Sequence, residues 1–288
     1  MKRPSYQGRP LHNPDEEVFD QGLAFDLDTL LDRRRMLKLV GVMGVGSGLL
    51  LAGCGRSTTA SSPAAATSAS ASGTTSAGTD CVVIPEETAG PYPGDGSNGP
   101  DVLNQSGIVR RDITQSFGDL SGTAEGIPLT IELAVQDASS CTTLAGAAVY
   151  VWHCDRDGQY SLYTVTDQNY LRGVQEVGSD GVARFTSIFP ACYAGRWPHI
   201  HFEVYPDLSA ATDPAYTIAT SQIALPQDTC DLVYATTGYE QSVQNLSQVS
   251  LQTDMVFADD GGVHELGTVM GSVADGFAVR LTVPVTVP

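Results

Sequence analysis

The 288-residue chain is 42% hydrophobic and carries 15 Lys/Arg against 33 Asp/Glu, a formal net charge of −18. This length and composition suit one sizeable core, or two small ones. The acid excess, with no lysine after Lys38, argues against a nucleic-acid partner, because phosphate binding needs clustered Lys/Arg.

The N-terminal region reads as a targeting segment. Arg33-Arg34-Arg35-Met36-Leu37-Lys38 precedes an apolar run over 39–53 of 15 residues with five glycines. That run is short of the ~20 residues of a membrane span and fits the basic and hydrophobic regions of an export signal. The arginine pair followed by Met-Leu-Lys resembles a twin-arginine signal. Leu51-Ala52-Gly53-Cys54 resembles a lipoprotein cleavage box, which makes Cys54 the expected lipidated N-terminus. The expected address is the outer face of the cell membrane as a lipoprotein, or the extracellular space, and the expected membrane contact is the lipid anchor alone. An ordinary signal peptide or a short buried helix is the plainer alternative.

Residues 55–79 are nearly all Ser, Thr, Ala and Gly and cannot bury enough apolar surface to order themselves, so they read as a flexible tether. The resulting division is 1–54 signal segment, 55–79 linker and 80–288 folded domain. Residues 1–54 hold seven Lys/Arg and seven Asp/Glu, so 55–288 hold 15 − 7 = 8 basic residues, all arginine, and 33 − 7 = 26 acidic ones. Five cysteines follow Cys54, namely Cys81, Cys141, Cys154, Cys192 and Cys230. An oxidising compartment favours disulfides, and an odd count leaves at least one thiol free.

From Cys81 onward the pattern is β. The stretch 85–112 is rich in Gly and Pro, irregular, and long enough to wrap the domain or line a pocket. Strand-like segments follow at 129–135, 147–152, 182–188, 199–205, 218–225 and 277–287, rich in Val, Ile, Thr, Tyr and Phe and separated by Gly, Asp, Ser and Pro. Residues 231–246 read as a helix or helical turns. The expected fold is all-β, a β-sandwich with an irregular N-terminal arm and long loops.

The sharpest feature is Tyr193-Ala-Gly-Arg196-Trp-Pro-His199-Ile-His201-Phe. In a strand, residues i and i+2 share a face, so His199 and His201 can reach one metal while Ile200 and Phe202 enter a core. A lone His-x-His is weak evidence, since paired buried histidines are often only hydrogen-bonded. Tyr193 stands six residues ahead, and a second segment, Val149-Tyr-Val-Trp152-His-Cys-Asp-Arg-Asp-Gly158-Gln-Tyr160, ends a strand in another tyrosine. Two imidazoles and two phenols form a mixed N/O set. Because the phenol pKa is near ~10, only a strongly acidic cation such as ferric iron holds phenolate at neutral pH. Zinc and copper usually take a third His or a Cys. Trp152 reads as core, His153 as pointing away from the pair, and His264 as surface; Tyr163 and Tyr170 are weaker alternatives to Tyr160.

These motifs, with Pro85-Glu-Glu-Thr88-Ala-Gly90-Pro91-Tyr92, Tyr170-Leu-Arg172-Gly173-Val-Gln175, Phe185-Thr-Ser-Ile-Phe-Pro190 and Thr220-Ser-Gln222, resemble in order those of intradiol ring-cleavage dioxygenases. The similarity is to the protocatechuate 3,4-dioxygenase-like group, in its secreted single-domain branch, and covers roughly residues 81–225. The resemblance implies a mononuclear non-haem Fe(III) held by Tyr160 and His199 as equatorial ligands and by Tyr193 and His201 as axial ones. It further implies that Arg196 stabilises charge on the substrate ring, that Gln222 stands near the same pocket, and that Thr88, Gly90, Pro91 and Tyr92 border the substrate. Tyr193 is implied to leave the metal and accept a substrate proton. The implied reaction cleaves a small aromatic diol with O2 to a cis,cis-muconate-type diacid. Cys192, beside Tyr193, departs from the usual pattern and raises the expectation of a disulfide there.

Two rival readings stand beside this one. A tethered β-sandwich is also the form of a cell-surface binding module without catalysis. A cupin-type site would need a Glu about four residues after the second His, whereas Glu203 follows by two. The scarcity of cations leans the substrate toward uncharged catechols or hydroxyquinol. The sequence leaves open the exact catechol, the disulfide pairing and whether the chain forms a homo-oligomer.

Overall fold

Period-two alternation of apolar and polar side chains builds two stacked sheets in the computed structural model, which describes residues 81–287 and two short paired strands near the N-terminus. The chain divides into two units, Met1–Ser76 and Ala77–Pro288. In the first, β1 (Ser5–Tyr6) pairs antiparallel with β2 (Arg9–Pro10). Cys54, the export segment and the tether lie outside the described residues.

The second unit holds nine strands. These are β3 (Pro128–Asp137), β4 (Thr142–Thr143), β5 (Ala148–Trp152), β6 (Arg172–Glu176), β7 (Val182–Ile188), β8 (His199–Tyr205), β9 (Ala219–Ala224), β10 (Thr268–Ser272) and β11 (Gly276–Val285). One sheet runs β10-β11-β3, with β7 and β4 on the other edge of β3. β3 and β11 pair in parallel, and the remaining pairs of this sheet are antiparallel. The second sheet has the order β6-β5-β8-β9 and is antiparallel throughout. The all-β sandwich expected from the sequence is thus the observed fold.

The facing sides share one core. Ile131 and Leu133 of β3, Phe185 of β7, Val283 of β11, and Ile200 and Phe202 of β8 are all buried in it. Each such side chain contributes on the order of 1.5–3 kcal/mol by leaving water. The strands expected at 182–188 and 199–205 have those bounds, and the other four differ by a few residues at their ends. β4, β6 and β10 were not expected, because they are short, polar or interrupted by glycine. In β6 that glycine has a purpose: a Cβ on Gly173 would stand 2.5 Å from Ile113 Cγ2, so only glycine lets the arm lie against the strand.

The helical stretch expected over 231–246 is two helices, α1 (Gln227–Tyr234) and α2 (Glu240–Leu246). Gly238 separates them at φ +96°, a left-handed conformation that a continuous helix does not contain. Among the described residues, no helix is long and apolar enough to cross a membrane.

The outer face of the second sheet is covered by the irregular arm. Val102, Leu103 and Ile108 of the arm pack with Tyr150, Trp152 and Tyr205 in a second buried cluster. The arm therefore wraps the domain, as its length suggested. A Cys81–Cys141 disulfide fastens its start, and Glu87 N donates to Thr220 O of β9 at 2.8 Å. Arg172, 1% exposed, ties the arm down from beneath. Its Nη1 donates to Pro93 O at 2.8 Å and its Nη2 to Tyr92 O at 2.9 Å and Ser161 O at 3.0 Å.

Candidate metal centre

β8 places the two histidines. Its even-numbered residues enter the sandwich core, so His199 and His201 face the arm layer. β8 lies between β5 and β9, and the register puts Trp152 and Gln222 on either side of His201. Trp152 stacks on the His201 ring with centroids 4.9 Å apart and planes 7° from parallel. Trp152 is core, as expected, and also one wall of the site.

The protonation of His199 follows from its partners. His199 Nδ1 lies 2.5 Å from Trp197 O. A carbonyl can only accept, so Nδ1 carries the proton. Burial, and then the Arg196 charge, push the His199 pKa well below its ordinary value, so the ring is neutral and Nε2 presents a bare lone pair. Around that atom stand His201 Nε2 at 3.1 Å, Tyr193 Oη at 3.3 Å and Arg196 Nη1 at 3.3 Å. Burial and Arg196 also keep His201 neutral.

The two tyrosines arrive on loops. Asp155 Oδ1 accepts from the backbone of Asp157 and Gln159, which shapes the turn that ends in Tyr160. Gly158 in this turn has φ +79°, and a Cβ there would stand 3.1 Å from Tyr193 Cβ. The Tyr160 ring lies 5.9 Å from that of Tyr193 and 6.3 Å from that of His201, edge-on to both. Tyr160 Oη is buried and has no hydrogen-bond partner. Burial raises its pKa well above the usual phenol value, and the neighbouring Tyr193 adds to the rise. Burial likewise pushes Tyr193 up to about 12.

An unpartnered buried hydroxyl costs on the order of 1–3 kcal/mol. A cation that binds the Tyr160 oxygen removes that penalty, and the bare Nε2 of His199 supplies a second donor. Four donors from Tyr160, Tyr193, His199 and His201 therefore fit one hard, strongly acidic metal ion. Among the described residues, no group of three or more His, Cys, Asp or Glu is placed to hold a metal, so a centre here has to draw on the phenols.

Arg196 is held on three sides. Its Nε donates to Asp254 Oδ2 at 3.0 Å, its Nη2 to Gln222 Oε1 at 2.6 Å, and its Nη1 faces His199. Burial opposes its charge, but Tyr193 and Asp254 outweigh burial and raise its pKa. Gln222 Nε2 in turn donates to Thr88 O at 2.9 Å, which links the arginine to the arm. On the arm, Thr88 Oγ1 accepts from Gly90 N at 3.0 Å. Gly90 has φ +71°, and its missing Cβ would stand 3.3 Å from His201 Cε1. Tyr92 lies 4.7 Å from Tyr160, centroid to centroid, and Pro91 beside it is exposed.

The remaining sequence candidates are elsewhere. Tyr163 Oη donates to Asn98 and Tyr170 Oη to Asp155. His153 is buried and bonded to Cys154 O and Ser187 Oγ, and His264 is exposed. The expected disulfide at Cys192 is absent: Cys192 is a buried free thiol, with its Sγ 3.4 Å from Arg196 O. Cys154 and Cys230 are also free and buried. Sequence reasoning missed Asp254, which lies beyond the stretch that resembles the dioxygenases. Its signal was slight, an acidic residue leading into the apolar run Met255-Val256-Phe257.

No protein-family model and no curated protein matches the sequence. Solved structures do match. An intradiol ring-cleavage dioxygenase from Tetranychus urticae superimposes with a TM-score of 0.56 and 23% identity, covering 72% of this chain and 95% of that one. A second crystallised dioxygenase superimposes with a TM-score of 0.57 and 22% identity over the same shares of the two chains. At these identities the likeness establishes the fold: this sandwich is the one used by intradiol ring-cleavage dioxygenases.

Proposed function

We propose that this protein is a ferric-iron-dependent intradiol dioxygenase that cleaves catechol-type aromatics with O2 to cis,cis-muconate-type diacids. The observation that carries the proposal is the meeting of Tyr160 Oη, unpartnered and buried, with Tyr193 Oη and the facing Nε2 atoms of His199 and His201. That donor set suits iron(III), held by Tyr160, Tyr193, His199 and His201. Bound there, ferric iron supplies Lewis acidity toward a catecholate.

The chain's own residues do the rest. Bound to the metal, Tyr193 would be a phenolate; once free it would take a catechol proton at Oη, and burial, which pushes its phenol pKa up to about 12, would hold that proton there. Arg196 is fixed by Asp254 and Gln222 and offers Nη1 to negative charge that develops on the ring. A preorganised donor of this kind acts strongly where water is excluded. Trp152 behind His201 and the arm segment of Thr88, Gly90, Pro91 and Tyr92 bound the space for the ring. Export by the twin-arginine route and a lipid anchor at Cys54 belong to the same proposal, which places catechol cleavage outside the cytoplasm.

Metal analysis and visible spectroscopy test the reading. Purified protein should contain one iron per chain, show a broad tyrosinate-to-iron charge-transfer band, and consume O2 with catechol. Iron-free, colourless protein from iron-replete cells that iron(III) cannot reconstitute defeats it.

A further inference from the structure

We infer that the substrate is a catechol whose ring bears no anionic substituent, and that carboxylated catechols are rejected at this site. This rests on the proposed function and narrows it.

The inference comes from where every described cation is placed. Residues 81–287 contain seven arginines and no lysine. Arg196 is the cation at the centre; Asp254 and Gln222 take its Nε and Nη2, and Nη1, beside His199, is the donor assigned above to charge that develops on the ring. Arg172, under the arm, donates to the carbonyls of Pro93, Tyr92 and Ser161 and to the Ser161 hydroxyl. Arg110 donates to Arg172 O and Gln115 O and lies over the Phe117 ring. Arg156 pairs with Glu125 at 2.6 Å and packs over Gly238. Arg184 and Arg280 share Glu132 on the first sheet, across the sandwich from the arm. Arg111 is exposed where the arm runs beside Thr186 of β7. Among the described residues, no cation at the centre is left to pair a carboxylate on the substrate ring.

The arm leads into the site through acidic residues rather than basic ones. Thr88, which borders the site, is preceded by Glu86 and Glu87. The Glu86 carboxylate sits 3.2 Å from Thr220 N, on the strand that carries Gln222. An anionic ring substituent entering here loses its hydration and gains no cationic partner, which costs far more than the loss of an apolar contact.

The test compares 3,4-dihydroxybenzoate with its methyl ester, using the iron-loaded full chain and O2 uptake. The pair shares size and an electron-withdrawing carbonyl and differs in charge. We expect kcat/KM for the ester to exceed that for the acid by about 100-fold. The preference should persist at ~0.5 M NaCl, where long-range repulsion is screened. A ratio below about 10 at high salt, or a preference for the acid, overturns the inference and leaves the dioxygenase reading intact. No O2 uptake with the ester, catechol or 4-methylcatechol overturns both.

Discussion

Asp254 Oδ2 accepts from Arg196 Nε at 3.0 Å and from Trp197 N at 2.6 Å, so one carboxylate oxygen fixes both the guanidinium and the backbone that leads into β8. Its other oxygen accepts from Val256 N and Phe257 N. Both side chains are almost wholly buried, at 9% and 0% exposure. Removing one partner of such a pair strands a charge. Asp254→Asn should therefore cost roughly 3 kcal/mol or more in urea unfolding. It should also lower kcat/KM for 4-methylcatechol through misplacement of Arg196. Wild-type stability in this variant removes Asp254 from the positioning role.

Tyr193→Phe keeps the ring and deletes the oxygen. On the proposed function, the charge-transfer band should shift or weaken and kcat should fall by about 10²-fold or more, as for loss of a positioned base. Tyr160→Phe likewise removes one phenolate donor and should also lower iron content and weaken the band. An unchanged spectrum in Tyr193→Phe takes this residue out of the centre.

Two glycine substitutions separate backbone strain from site geometry. Gly90 and Gly146 both have positive φ, at +71° and +91°, but a Cβ on Gly90 meets His201 whereas one on Gly146 meets nothing within 4 Å. Each change to Ala should cost about 1–2 kcal/mol of stability. Activity should drop only for Gly90→Ala. Equal activity in the two variants would show that the arm does not need its close approach to His201.

The Cys81–Cys141 disulfide closes a loop with a sequence separation of 60. Loop-closure entropy gives it about 4 kcal/mol at most. The Cys81→Ser/Cys141→Ser pair should lower the urea midpoint and loosen the arm. In native protein, thiol reagents should find Cys154, Cys192 and Cys230 unreactive, because all three are buried and burial raises their thiol pKa values.

Glu265 gives the fold a pH dependence. It is fully buried, and burial together with Glu87, Asp260 and Asp259 pushes its pKa up to about 8. The folded state therefore holds a proton that the unfolded state releases near pH ~4.3. The stabilisation is complete below that value and is lost as pH rises through about 8. Its slope approaches about 1.4 kcal/mol per pH unit between the two. Glu265→Gln should flatten this part of the stability profile and leave the protein more stable at alkaline pH. Urea titrations from pH 5 to ~9 measure it.

The sequence by itself determined the strands and the face that carries the histidines. Alternation at period two in 199–205 separates His199 and His201 from Ile200 and Phe202 whatever else the chain does, and the same alternation marks β3, β5, β7 and β11. β6 and β10 escaped notice because glycine and polar residues erase that pattern in strands only five residues long. Tertiary structure alone decided what surrounds the histidines. Tyr160 is 39 residues from His199 and Asp254 is 58 residues from Arg196; no local periodicity reports a contact over such a separation. Folding brings them together because β5 and β8 are neighbours in one sheet and because the 250–259 loop packs against the turn before β8. The tautomer of His199, by contrast, is set locally, by the Trp197 carbonyl two residues earlier in the chain. Chain chemistry chose the donors, and packing chose which of them meet and buried them away from water.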